Sequence, residues 1–294
     1  MESETKMGST ITNNIKTVML LSVLTGAVLF AGYAIAGPNG VIIALILASV
    51  MNVFGYFFSA KIALSSMGAQ EVGPGNELYT IVEKLVQRTG MPMPKVYISP
   101  QEAPNAFATG RGPNNAAVCA TVGLMRVLDR NEIAGVMAHE LAHVKHRDIL
   151  IQTVAATIGG AINMLGYMFM FGGGSSDDEE GGIASHPLVG LALMILGPIA
   201  AGIIQMAISR QREFAADTEG ARICGDPMHL ATALEKIHVM AHRIPMQVNP
   251  AYNAMMIAEP MNFSGKVANL FSTHPKLEDR LMNLIGHETT GRRW

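Results

Sequence analysis

Apolar residues fall along the chain in four long runs separated by polar stretches. Thr17 to Ala36 and Val41 to Ala60 carry no charge, Ile149 to Phe171 contains only Gln152 and Asn163 as strongly polar interruptions, and Pro187 to Ile208 has Gln205 near its end. At about 1.5 Å per helical residue, a hydrocarbon core of about 30 Å takes roughly 20 apolar residues. Each run therefore predicts a membrane-spanning helix. The first two are joined by Gly37-Pro38-Asn39-Gly40, a turn sequence that predicts a helical hairpin. The last two are joined by 172–186, which opens with Gly172-Gly173-Gly174-Ser175-Ser176 and continues through Asp177, Asp178, Glu179 and Glu180. That loop reads as a flexible solvated link and lacks the spacing of a calcium-binding hand.

The polar stretches alternate differently. Glu77 to Arg88 has a helical period and stops at Gly90 and Pro92, while Lys95 to Ser99, Asn105 to Gly110 and Ala116 to Gly123 read as strands. Asp129 followed by Glu132 forms a capping box that starts a helix running from Arg130 to about His146. Arg210 to Ile223 and Met228 to His242 read as helices, and a last helix begins near Pro275. The organisation is then a tail (1–16), a first membrane hairpin (17–60), a polar segment (61–148), a second hairpin (149–208) and a second polar segment (209–294). Each polar segment is small for an independent core. Together they make one domain interrupted by a hairpin.

Composition supports lipid contact. Of 294 residues, 49% are hydrophobic and only 15% charged, against about 25% charged in ordinary soluble domains. Disorder is excluded by that apolar content, and two cysteines are too few for a disulfide scaffold. The net charge of -2 gives no basic excess for nucleic acid. All 21 Lys and Arg lie in the tail, in 61–148 or after residue 208, and neither short loop holds one. By the positive-inside rule both termini and both polar segments face the cytoplasm. Ala34-Ile35-Ala36 mimics a signal-cleavage site, but the run before it is longer than a signal core and a second span follows. Cys119 and Cys224 then read as small core residues in a reducing compartment.

The capped helix carries His139-Glu140-Leu141-Ala142-His143. Histidines at i and i+4 share a helical face and can reach one metal ion. Glu140 lies about 100° around the helix from His139, beside the ion, where it can serve as general base. This predicts one Zn²⁺ per chain, with a third protein ligand and an open fourth position. The metzincin pattern is excluded, because His146 and Ile149 occupy the places of its glycine and third histidine. A glutamate on a second helix is the other solution. Glu213 lies in Arg210-Gln211-Arg212-Glu213-Phe214-Ala215-Ala216-Asp217, and Asp217 stands at i+4 from it. Glu213 is the expected third ligand and Asp217 the acceptor for the far nitrogen of a ligand histidine. The competing reading is a plain surface acid pair.

These residues together resemble the HtpX-type membrane zinc metalloproteases, related to the CAAX prenyl endopeptidases. The resemblance rests on two N-terminal spans, Asn105 to Gly110 (NAFATG), HELAH, a later hairpin, Arg212 to Asp217 (REFAAD), and Ser272 to Pro275 with Arg280. It implies an α+β zincin-like domain combined with about four transmembrane helices in two hairpins. It also implies endoproteolysis of misfolded membrane proteins in quality control, in the plasma membrane of a bacterium. In such families the segment holding Asn105, Ala106, Phe107 and Ala108 lines the cleft as a substrate-binding edge strand. An exposed edge holds an extended peptide by its main chain, although an ordinary sheet strand fits the same sequence. His274 is either an oxyanion donor or simply the residue before a helix start, and Arg280 either pairs with an acid near the site or faces water. A prenyl-protein endopeptidase, a non-proteolytic zinc-stabilised scaffold and a secreted protease are the rival functions. Oligomeric state is open.

Overall fold

The computed structural model describes residues 2–150, 152–153, 210–241, 243 and 275–286. The third expected span beyond Thr153, the loop 172–186, the fourth span and His274 lie outside the described residues.

Helix α1, Glu2–Ser66, doubles back on itself. Gly37 takes a left-handed φ of 59° one residue before Pro38. Asn52 Nδ2 donates to Thr25 Oγ1 at 2.9 Å across 27 residues. A straight helix would put them about 40 Å apart. A Cβ on Gly32 would lie 2.5 Å from the Cβ of Ala44 and from the Gly40 carbonyl oxygen, so the two arms touch where glycine allows it. The reversal thus falls at Gly37, the first of the four residues expected to turn. Among the described residues one stretch, Gly37–Phe54, is long and apolar enough to cross a membrane. Its surface is apolar: Ile42, Ile43, Ile46, Val50 and Val53 are all exposed.

Four strands follow: β1 (Gln70–Val72), β2 (Lys95–Ser99), β3 (Ala106–Gly110) and β4 (Ala116–Thr121). The sheet order is β1-β2-β4-β3, with β2 and β4 parallel and the other pairs antiparallel. The strand expected over Ala116 to Gly123 ends at Thr121, and Val122–Val127 forms a short helix, α3. The Thr121 hydroxyl accepts from Leu124 N and caps that helix, and a Cβ on Gly123 would lie 1.9 Å from the Glu102 carbonyl oxygen. The β-rich sequence is overridden by the cap and by this close backbone approach. Strand β1, short and polar, had no sequence signal.

Helix α2 (Glu77–Thr89) buries Leu78, Ile81, Val82, Leu85 and Val86, an i, i+3, i+4 stripe, between an Asn76 cap and Gly90 at φ 66°. Helix α4 spans Arg130–His146 with the capping box formed: Asp129 accepts from Glu132 N, and Glu132 accepts from Asp129 N. Helices α5 (Arg210–Cys224), α6 (Pro227–Ala241) and α7 (Leu277–Ile285) complete the described fold. The core places Ala106, Ala108, Val118 and Ala120 of the sheet together with residues of α2, α4 and α6. Phe107, Ala117 and Cys119 pack instead with Ala63, Leu64 and Met67 at the end of α1. The sheet is therefore sandwiched between the end of the apolar hairpin and the helix carrying HELAH. Cys119 is core as expected, whereas Cys224 is half-buried, its Sγ 3.3 Å from His229 Nδ1.

Candidate metal centre

Two helices bring the site together. His139 and His143 project from α4, and Glu213 from α5; all three are buried, and one ligand atom of each lies within 4.8 Å of the others. The close approach of α5 requires Gly220, where a Cβ would lie 2.9 Å from the Cα and N of His139. Lys145 of α4 pairs with Glu219 of α5 further along the seam.

The donor atoms are spaced for a small tetrahedral ion. His139 Nε2 and His143 Nε2 are 3.2 Å apart. Glu213 places Oε1 3.4 Å from His143 Nε2 and Oε2 3.8 Å from His139 Nε2. Ligands about 2.0–2.1 Å from a tetrahedral zinc are separated by about 3.3 Å. The far nitrogens are also committed. His139 Nδ1 lies 2.9 Å from Asp217 Oδ1, and His143 Nδ1 lies 3.3 Å from Asp148 Oδ2. When each Nδ1–H donates to its carboxylate, both Nε2 atoms present lone pairs to each other and to Glu213. Three acceptors facing one point need a cation there. Without a metal, a proton must serve. Burial alone would push the His143 imidazole down, but Glu213 and Asp148 outweigh it and raise it to about 9. Metal entry would displace that proton.

Glu140 is 4% exposed and sits on the same turn of α4 as His139. Its charge acts on both His143 and Arg280. Asp217 stands where sequence spacing put it, behind a histidine. Arg280, whose place sequence left between an acid and water, is buried against that acid: Nε donates to Asp217 Oδ2 at 2.9 Å and Nη2 to Oδ1 at 2.6 Å. Burial would raise the Asp217 carboxyl, but Arg280 and His139 hold it below its ordinary range. Sequence reasoning missed Asp148. It lies beyond the end of α4, and Arg147 at φ 60° turns the chain so that Asp148 N donates to the His143 carbonyl. Only a helix-ending turn after HELAH could have signalled it.

Strand β3 is the edge of the hydrogen-bonded sheet, but it is not the exposed edge expected from sequence: all five residues are buried. Phe107 packs against the end of α1, and the Thr109 hydroxyl meets that of Thr153 at 3.1 Å. Thr121 N donates to Asn105 O at 2.9 Å and Arg111 N to Asn115 O at 3.2 Å. The antiparallel alternation between those two pairs turns the N–H and C=O of Ala108 away from β4. Asn105 Oδ1 accepts from Ala106 N at 2.8 Å.

A mixed sheet beside a helix bearing H-E-x-x-H, with a carboxylate delivered from a second helix, is the arrangement of a metallopeptidase. The sequence profile of peptidase family M48 matches residues 74–288, and the chain belongs to that family. Among its relatives, the protease HtpX homolog of Burkholderia cenocepacia is 50% identical over 285 residues, covering 95% of this chain and 99% of its own. That of Gemmatimonas aurantiaca is 50% identical over 276 residues, covering 92% and 98%. Among solved structures, S. mikatae Ste24p aligns with a TM-score of 0.49 at 18% identity, over 94% of this chain and 66% of that one. The enzyme is a metalloendopeptidase of the HtpX type.

Proposed function

We propose that this chain is a zinc-dependent, multi-pass membrane endopeptidase that hydrolyses peptide bonds of misfolded or damaged membrane proteins at the cytoplasmic face. The observation that carries the reading is the convergence of three acceptors, His139 Nε2, His143 Nε2 and Glu213, on one buried point with Glu140 beside it. Support for the membrane comes from the apolar, doubled-back α1. Support for the cytoplasmic side comes from the confinement of Lys and Arg to the tail and the two polar segments.

His139, His143 and Glu213 would hold the zinc, which when bound supplies Lewis acidity to a carbonyl and to a water. Glu140 takes the proton of the attacking water as its oxygen adds to the scissile carbonyl carbon. Glu140 then returns that proton to the amide nitrogen as the C–N bond breaks. Asp217 and Asp148 keep each imidazole in the tautomer that leaves Nε2 free for the ion. The main chain of Ala106 and Ala108 would pair with an extended substrate, which requires the cover over β3 to yield. Backbone recognition of this kind accepts many sequences, as suits a quality-control enzyme. His274 is assigned the developing oxyanion.

The test is cleavage of an unfolded membrane protein by the full chain in detergent, as zinc-loaded enzyme, chelator-treated enzyme and Glu140→Ala, with zinc measured in each. Cleavage that chelation stops, with Glu140→Ala zinc-bound and inert, is the expected result. Equal cleavage by Glu140→Ala would overturn the mechanism. Zinc binding without cleavage of any substrate would favour a scaffold.

A further inference from the structure

Among the described residues, Arg212 is the only charged side chain with buried donors that make no hydrogen bond: its Nε, Nη1 and Nη2 are all in that state. Its side chain is 15% exposed, and burial pushes its pKa down. A buried guanidinium is costly unless it meets a negative charge. The carboxylate it faces is Asp148, 2% exposed, with Oδ1 3.9 Å from Arg212 Nη1. The other oxygen of that carboxylate, Oδ2, is the one on His143 Nδ1. Arg212 therefore stands behind His143, on the far side of the ring from the metal point.

The opposite histidine is backed in the same order of residues, but by a hydrogen-bonded pair in place of a 3.9 Å ion pair. Arg280 holds Asp217, and Asp217 holds His139 Nδ1. The two chains of contact, Arg280–Asp217–His139 and Arg212–Asp148–His143, differ in origin. The first draws its arginine from α7. The second draws it from α5, one residue before Glu213, so the helix that delivers the third ligand also braces a ligand of α4. Arg212 shares a face of α5 with Ala216 and Glu219 at i+4 and i+7. Glu219 binds Lys145 on α4, so the Arg212–Asp148 contact extends an existing seam between the two helices.

We infer that Arg212 is a positioning residue of the metal centre, orienting the Asp148 carboxylate and through it the His143 ring, as Arg280 does for His139 through Asp217. The inference rests on the zinc reading above, and the experiment separates the two. Zinc affinity of the full chain in detergent is measured by competition with a chromophoric chelator. The variants are Arg212→Met, Arg212→Lys, Asp148→Asn, and each Arg212 change combined with Asp148→Asn. The visible spectrum of the cobalt-loaded forms and thermal unfolding of the metal-free forms are recorded alongside.

Arg212→Met is expected to weaken zinc binding about tenfold to a hundredfold and to shift the cobalt spectrum. Arg212→Lys restores part of the affinity, and neither change weakens binding further once Asp148 is Asn. A purely structural arginine would lower metal-free unfolding without moving the cobalt spectrum, and that result overturns the inference. So does wild-type affinity in a folded Arg212→Met, or an equal loss in both Asp148 backgrounds. If Arg212→Met does not fold, the comparison rests on Arg212→Lys, which must lose affinity beside Asp148 and not beside Asn. Failure of the wild type itself to bind zinc would instead sink the zinc reading.

Discussion

His139 Nε2 and His143 Nε2 face each other at 3.2 Å, and the Nδ1 of each lies against a separate aspartate. On the proposed mechanism the pair holds a cation, and the neighbouring Glu140 moves the proton. Glu140→Gln keeps the shape of the side chain and removes the base. It should retain stoichiometric zinc while peptide hydrolysis falls by about 10²–10⁴-fold. Metal analysis and a turnover assay on the same preparation check this. Loss of zinc together with activity would mean that Glu140 is structural.

Asp217 and Arg280 are a buried ion pair with two short hydrogen bonds. Asp217→Ala strands the guanidinium and should cost about 3–5 kcal/mol of stability. Combining Asp217→Leu with Arg280→Met removes both charges and should recover most of that loss. Zinc affinity should stay low in the double variant, because His139 has lost its orienting carboxylate. Thermal unfolding and zinc competition, measured together, distinguish the two effects.

Gly220 lets the backbone of α5 lie against that of His139. Gly220→Ala forces a methyl to 2.9 Å from the His139 backbone. Overpacking of this kind costs about 1–3 kcal/mol and should pull Glu213 away from the histidines, lowering both unfolding temperature and zinc affinity. Gly73 has open space around it, and Gly73→Ala serves as the control with neither effect.

Glu219 accepts from Arg222 and Lys145, and these bonds outweigh burial to hold its carboxyl at about 2, against an ordinary 4.5. A folded-state value below the unfolded one means that the stabilisation is complete above pH 4.5. It is lost as the pH falls towards 2. Denaturant unfolding at pH 5 and pH 3 should show a larger drop for the wild type than for Glu219→Gln. Parallel losses would show that the Arg222 and Lys145 contacts contribute nothing.

Helical spacing alone made much of the centre legible. HELAH lies on a helix announced by its own capping box, and Glu213 and Asp217 share a face because they stand four apart. Periodicity says nothing across a chain reversal, which is why Asp148 was missed: it reaches His143 only through the left-handed turn at Arg147. Spacing alone does not place Arg280, since its partner lies 63 residues away on another element. The strand expected over Ala116 to Gly123 overruns by Val122 and Gly123, because Val and Thr run up to that point and only the Thr121 cap and the tertiary contact at Gly123 start a helix there. The edge position of β3 matched the family resemblance, but its burial depends on α1 and on Thr153, which strand patterning does not encode.

The centre is assembled from stretches far apart in sequence: 141 residues separate His139 from Arg280. A ribosome adding about 5–20 residues per second makes the two histidines roughly 7–28 s before the arginine that steadies one of them. During synthesis the half-made chain holds its metal-binding histidines without Glu213 and then without Arg280. The growing polypeptide therefore lacks the full set of three ligands until Glu213 is made, and lacks the arginine behind Asp217 until its last described helix is made.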